Sequence, residues 1–121
     1  HAVGVTGAGV NVAVLDSGID TDHPELANDL VEERCWCRGG VGMTGCCPNG
    51  FNTQIGPGSA EDDSGHGTNV IGVITSALGV APNSGIVALR VLDSSGEGNF
   101  SDIDAALDWL LDNHVSLAVR G

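Results

Sequence analysis

Two short apolar runs, each stopped by turn-forming residues, constrain the fold of this chain most strongly. The first run covers residues 10–15 and ends in Asp16-Ser17-Gly18. The second run covers residues 86–92 and contains Arg90 as its only charge. A nearly continuous apolar run of this length is typical of a strand that is buried on both faces. We therefore predict two buried strands of a parallel sheet.

Two other segments carry apolar residues at helical spacing. In residues 68–78 they recur every three or four positions, and Gly79 follows where a C-terminal cap would lie. Residues 101–113 carry a second stripe, and Ser101 with Asp104 predicts a capping box at its start. Residues 115–119 predict the beginning of a third strand. The order strand, helix, strand, helix, strand predicts an α/β fold with a parallel sheet and helices on both faces.

The stretch from 21 to 63 has little periodicity and contains all four cysteines. We interpret it as a long functional loop or as irregular structure held by disulfides. Its cysteines form two tight pairs: Cys35 with Cys37, and Cys46 with Cys47. Bonds within a pair would close strained rings, so we expect two disulfides that cross between the pairs, in either arrangement. The alternative is a four-thiolate zinc site, although zinc sites usually space each ligand pair more widely.

The charge of the chain argues against two classes of partner. Sixteen acidic residues face four arginines and no lysine, which gives a net charge of -12. Such a surface repels phosphate backbones and anionic lipid headgroups. The apolar stretches are also far shorter than the roughly 20 residues that span a bilayer. We expect no nucleic-acid partner and no membrane partner, and we interpret the acidity as a surface of high colloidal stability.

Two segments carry residues that could act chemically. Residues 12–20 place Asp16 at the end of the first strand, and residues 62–68 place His66 before the first helical stripe. Taken alone, a strand-end aspartate is usually a turn residue and a histidine usually a surface residue. Asp62 and Asp63 are interpreted as solvent-facing loop acids, the alternatives being an effect on His66 or a contribution to a cation site.

Both segments together, in this order, resemble the aspartate and histidine motifs of the subtilisin-like serine protease family. Residues 22–26 and 79–82 also resemble the family pattern. The resemblance implies a subtilisin-like fold, of which residues 1–121 would be the N-terminal part, with a cysteine-rich insertion at about residues 33–60. It implies a serine endopeptidase in which His66 takes the proton of a serine hydroxyl and Asp16 orients the imidazole.

The nucleophile of that mechanism is missing from the sequence. None of the nine serines lies in the Gly-Thr-Ser context that the family nucleophile occupies. We expect a second chain or segment to supply it, and a polypeptide as the substrate. The alternative is a non-catalytic binding or structural module on a protease-derived scaffold. Under either interpretation the expected disulfides indicate a secreted, extracellular protein.

The resemblance also indicates where a substrate and a metal ion would bind. The substrate would lie as an added strand along Gly96, Glu97 and Gly98, with Leu92 and Phe100 forming apolar subsites. A plain glycine-rich turn is the alternative. We expect no cofactor, because the loop that often holds calcium in the family is deleted before Gly79. The acids that could still bind calcium elsewhere are Asp20, Asp22 and Glu61.

Overall fold

A computed structural model of the protein describes residues 11–23, 26–38, 45–75 and 84–113. Their elements, in chain order, are β1 (Asn11–Asp16), a 3-10 turn (Ala27–Asp29), β2 (Leu30–Trp36), β3 (Thr53–Ile55), α1 (His66–Thr75), β4 (Gly85–Arg90) and α2 (Phe100–Asn113). Among these residues, no helix is both long enough and apolar enough to cross a membrane.

The strands form one mixed sheet in the order β1-β4-β2-β3. Strand β4 pairs in parallel with β1 on one side and with β2 on the other. Strand β3 runs antiparallel to β2, so the predicted parallel sheet is confirmed for three of the four strands that the structure describes. The exception has a physical reason, because β2 and β3 follow one another without the crossover that parallel neighbours need.

Strand β2 corrects the interpretation of residues 21–63 as a loop or irregular structure. It lies inside the sheet, although its sequence contains three consecutive charged residues. The Glu33 side chain is buried and accepts a hydrogen bond from the Ala60 backbone N–H at 3.0 Å. The Arg34 guanidinium lies over the Trp109 ring, 4.6 Å from its centroid. These partners make charged residues compatible with an interior strand.

The two helices pack on opposite faces of the sheet, as the sequence predicts. On β4, Ile86 and Ala88 belong to an apolar cluster that also contains Ile71 of α1. The alternate residues Val87 and Leu89 belong to a second cluster, which contains Ala106 of α2. Since side chains alternate across a strand, the two clusters lie on the two faces.

The predicted cap of α2 is wrong by two residues. The cap is Asn99, whose side-chain oxygen accepts a hydrogen bond from the Ser101 N–H at 2.8 Å. The helix then begins at Phe100, so Ser101 and Asp104 do not form a capping box. Asparagine is among the residues that cap a helix best. The predicted cap at Gly79 and the predicted strand at 115–119 lie outside the described residues.

The cysteines form two disulfides, and each of them joins one tight pair to the other, as the sequence predicts. Cys35 is bonded to Cys47 and Cys37 to Cys46, with Cα atoms 5.9 and 5.0 Å apart. The four thiols are therefore not zinc ligands. After Cys37, the backbone N–H of Arg38 donates to Asp102 at 2.8 Å, and the two side chains form an ion pair. The segment that the disulfides close, from Cys35 to Cys47, is called the disulfide-bonded loop. Arg38 attaches it to the first turn of α2.

Candidate active site

The site lies at the carboxyl ends of β1 and β4. Asp16 pairs in register with Arg90 at the last position of each strand. Beyond the strands, the backbone oxygen of Asp16 accepts hydrogen bonds from the N–H groups of Val91 at 2.9 Å and Leu92 at 3.3 Å. The aspartate and the start of the predicted substrate segment are therefore held together by main-chain contacts.

A close backbone approach brings the start of α1 against the turn that follows β1. Gly18 has a φ of 112°, a conformation that glycine adopts most readily. A Cβ atom at Gly67 would collide with the backbone oxygen of Gly18. The two glycines therefore allow His66, which precedes Gly67, to lie beside Asp16.

His66 and Asp16 form the contact that the family resemblance predicts. The Nδ1 atom of His66 lies 2.9 Å from both carboxylate oxygens of Asp16. One of these oxygens also accepts a hydrogen bond from the Ser17 N–H at 2.7 Å. The Asp16 side chain is 12% exposed, whereas the His66 side chain is 68% exposed. With Nδ1 bound to the acid, Nε2 is the ring nitrogen that can exchange a proton with a reactant.

The same contact changes the acidity of the imidazole. The hydrogen bond to Asp16 and the charge of Asp16 raise the pKa of His66 above its ordinary value of 6.5. Desolvation opposes this increase, and the charge of Asp62 adds to it. A carboxylate that favours the imidazolium also stabilises the charge that forms when histidine acts as a base.

Asp62 corrects the favoured interpretation of the sequence, because its side chain is not a free solvent-facing acid, and it agrees with the alternative of an effect on His66. Its Oδ1 accepts hydrogen bonds from the backbone N–H groups of Ser64 and Gly65, both at 2.9 Å, and from the Ser17 hydroxyl at 2.8 Å. Its Oδ2 accepts from the N–H and the hydroxyl of Thr68, at 3.0 and 2.6 Å. A signal was present, since an aspartate can close a turn by accepting from the backbone N–H two residues later, which here is that of Ser64.

These hydrogen bonds also set the charge of Asp62. Burial raises the pKa of its carboxyl, but the bonds from Thr68, Gly65 and Ser17 outweigh burial and lower the pKa to about 2. The neighbouring acid, Asp63, has a different partner. It forms an ion pair with Arg90 at 2.9 Å, in which the arginine side chain is 2% exposed and the aspartate side chain 58%.

Four of the five predicted substrate-binding residues lie in the connection from β4 to α2, and the fifth, Phe100, is the first residue of α2. Leu92 and Gly98 form an isolated antiparallel bridge, and the Asp93 N–H donates to the Glu97 carbonyl at 2.8 Å. Gly96, Glu97 and Gly98 are exposed, and Phe100 is 86% exposed. The structure therefore presents this segment on the surface next to the end of β4.

Three acids near the site could hold a cation. One oxygen from each of Asp20, Asp22 and Glu61 lies within 4.8 Å of the others. Carboxylate oxygens are the ligands that calcium prefers. The predicted deletion of the calcium loop before Gly79 concerns residues 76–83, which lie outside the described residues. No observation besides the acids themselves indicates an ion.

Comparison with known proteins connects this geometry to one family. The sequence profile described as the Subtilase family matches residues 7–118. Over 123 residues the chain is 37% identical to subtilisin of Bacillus pumilus and to subtilisin E of Bacillus subtilis strain 168. It is 38% identical over 124 residues to subtilisin Savinase of Lederbergia lenta. These alignments cover 97%, 97% and 98% of this chain, and 38%, 28% and 39% of the relatives. The chain therefore spans less than half of the length of these curated relatives.

Proposed function

This chain belongs to the subtilase family, and from that premise we propose that it supplies the aspartate and the histidine of a serine endopeptidase. Residues 1–121 are the N-terminal part of the peptidase domain, and a further chain or segment supplies the serine. The observation that carries the proposal is the distance of 2.9 Å from His66 Nδ1 to both oxygens of Asp16. A module that only binds has no physical need for this pair.

In the proposed reaction, His66 acts first as a base and then as an acid. Its Nε2 takes the serine hydroxyl proton while the serine oxygen bonds to the carbonyl carbon of the peptide. The imidazolium then gives that proton to the leaving amine as the C–N bond breaks, which leaves an acyl-enzyme. Water, deprotonated by the same nitrogen, attacks the acyl group, and the imidazolium returns that proton to the serine oxygen as the ester bond breaks and the carboxylic acid is released. Asp16 remains ionised and stabilises the imidazolium in both halves, and no cofactor takes part.

Two observations support a serine from outside this chain. The chain aligns with only 28–39% of its relatives, and none of its serines lies in a Gly-Thr-Ser context. Ser17, the serine next to the catalytic acid, is fully buried. Its hydroxyl donates to Asp62 and accepts from the Gly67 N–H at 2.9 Å, so it already has two partners.

The substrate in this proposal is a polypeptide outside the cell. It lies as an antiparallel strand along Gly96, Glu97 and Gly98, with Leu92 and Phe100 at its apolar subsites. The two disulfides support an extracellular, oxidising location. The exposed Glu97 carboxylate favours basic side chains a few residues before the cleaved bond.

The experiment is active-site labelling of the full-length protein in which this chain occurs. A fluorophosphonate, which reacts with activated serines, should label the wild type and the control variant Asp108→Asn, whose exposed acid lies on α2. His66→Ala and Asp16→Asn should lose nearly all labelling and peptide hydrolysis. Removal of a triad member costs about 10⁴-fold or more in kcat. Labelling that is equal in all four proteins, or absent from all four, would contradict the proposal and favour a binding module.

Specificity is tested separately with matched peptides that carry arginine or glutamate in the residues before the cleaved bond. The wild type should cleave the arginine peptides faster, and Glu97→Gln should reduce that preference, since an exposed charge is worth up to about 1 kcal/mol. Equal rates for the two peptides with the wild type would contradict the role of Glu97.

A further inference from the structure

We propose that Asp62 is a positioning residue for His66, which ties the turn after β1 to the first turn of α1 and thereby holds the imidazole against Asp16. The inference rests on the proposed function and deepens it, because it assigns a role to a residue outside the pair of Asp16 and His66. Its basis in the structure is the set of hydrogen bonds that one carboxylate makes on both sides of the histidine.

On the side of β1, Asp62 reaches the turn through a buried serine. The Ser17 hydroxyl donates to Asp62 Oδ1 at 2.8 Å and accepts from the Gly67 N–H at 2.9 Å. Ser17 directly follows Asp16, and Gly67 directly follows His66. The relay from Asp62 through Ser17 to Gly67 therefore joins the backbone next to the acid with the backbone next to the base.

On the side of α1, the same carboxylate holds the backbone before and after His66. Its Oδ1 accepts from the N–H groups of Ser64 and Gly65, and its Oδ2 accepts from the N–H of Thr68. The Thr68 hydroxyl donates to Oδ2 and also accepts from the Asp20 N–H at 2.9 Å. A negative charge at this place also complements the N-terminus of the helix.

Such an anchor matters because the described residues leave the His66 side chain largely uncovered. Its side chain is 68% exposed, so packing does not fix the imidazole. Its position depends on the Asp16 contact and on the backbone that Asp62 holds. A displacement of about 1 Å at a catalytic group can cost about 100-fold in rate.

Charged groups near His66 come from β1, from the segment before α1 and from β4. Asp16 at the end of β1 and Asp62 before α1 both raise the pKa of His66. Arg90 at the end of β4 is paired with Asp63. Because the pKa of Asp62 is about 2, it is ionised throughout the range in which His66 titrates. A changed pH profile in an Asp62 variant would therefore report on His66.

The test compares Asp62→Asn with Asp63→Asn in the full-length protein. Asparagine keeps the size of the side chain but removes the charge and one acceptor oxygen. We expect Asp62→Asn to lower kcat by about 10- to 100-fold with KM within twofold, and to lower the pKa of the acidic limb of kcat/KM. Asp63→Asn, an adjacent acid with a different partner, should change kcat and KM by less than twofold. Equal effects of the two variants would overturn the proposal.

A second pair of variants covers the case in which Asp62→Asn does not fold. Thr68→Ser keeps the hydroxyl that donates to Asp62, whereas Thr68→Val has a similar shape and removes it. Positioning predicts a lower kcat for Thr68→Val alone. If neither variant, or both equally, lost activity, the proposal would fail.

A further readout separates this inference from the proposed function. The His66 Nδ1–H proton, seen by NMR in the full-length protein, should have a strongly downfield resonance that exchanges faster in Asp62→Asn or Thr68→Val than in their controls. This holds whether or not the protein hydrolyses peptides. An unchanged resonance in both variants would overturn the role of Asp62 while leaving the labelling result for Asp16 and His66 intact.

Discussion

His66 and Asp16 differ sharply in their exposure to solvent, and this difference suits their proposed roles. The acid is 12% exposed, so water screens its charge only weakly and the attraction to the imidazole is preserved. The base is 68% exposed and can meet a substrate. The pair therefore consists of a buried acid, which raises the pKa of the imidazole, and a base that is accessible to solvent.

The pH dependence of the site follows from the raised pKa of His66. Only the neutral imidazole can take a proton, so activity should fall as the pH drops through a value above 6.5. The stabilisation from the charged pair is complete below the unfolded pKa, and it is lost as the pH rises through the raised folded pKa. An NMR titration should show this raised pKa in the wild type and in Asp108→Asn, and a lower pKa in Asp16→Asn. A wild-type pKa of 6.5 or below would contradict the assignment.

At the scale of elements, the site depends on how closely α1 approaches the turn after β1. Gly67 and Gly72 both lie in α1 and allow a matched test. A Cβ atom at Gly67 would meet the backbone of Gly18, whereas one at Gly72 would meet nothing within 4 Å. Gly67→Ala should destabilise the protein by about 1–3 kcal/mol, because the backbone must shift to make room.

Gly72→Ala should instead stabilise the protein by up to about 1 kcal/mol, since alanine is the better helix former. Denaturant unfolding of both variants measures the difference. Changes of the same sign would show that helix propensity, and not the close approach, decides the outcome at Gly67.

The elements that the sequence predicts are those whose apolar residues follow a regular spacing. Strands β1 and β4 and helices α1 and α2 follow from such patterns, with errors of a few residues at their ends. Strand β2 was missed because Glu33 is hydrogen-bonded to Ala60 and the Arg34 guanidinium lies over Trp109, and both partners are distant in sequence. Local pattern does not contain that information.

The same reason explains what could be predicted of the site. Asp16 and His66 lie in motifs that can be read locally, and the structure brings them together. Asp62 is the first residue of the second motif, yet its contact with Ser17 joins residues 45 positions apart. Only the fold shows that a loop acid is the common partner of both segments.

For the whole molecule, the disulfide-bonded loop connects the sheet to α2. Cys35 lies in β2, and Arg38, just after Cys37, is paired with Asp102 of α2. Trp36 of β2 packs against Trp109 of α2, with ring centroids 5.8 Å apart. These are the two tryptophans of the chain, so their fluorescence reports on the contact between the strand and the helix.

Each disulfide should therefore stabilise the fold, and the Cys37–Cys46 bond should also support the contact with α2. Closing a loop of this length contributes about 3 kcal/mol in the chain-entropy estimate, so Cys37→Ser with Cys46→Ser should lose about 2–3 kcal/mol. Cys35→Ser with Cys47→Ser is the matched control, with a similar loss expected from a loop of similar length. Tryptophan fluorescence of the folded state should change more in the first variant, because Arg38 loses its fixed position beside Asp102. Equal spectra for the two variants would show that the α2 contact is independent of the loop and depends on the tryptophan pair and Arg34 alone.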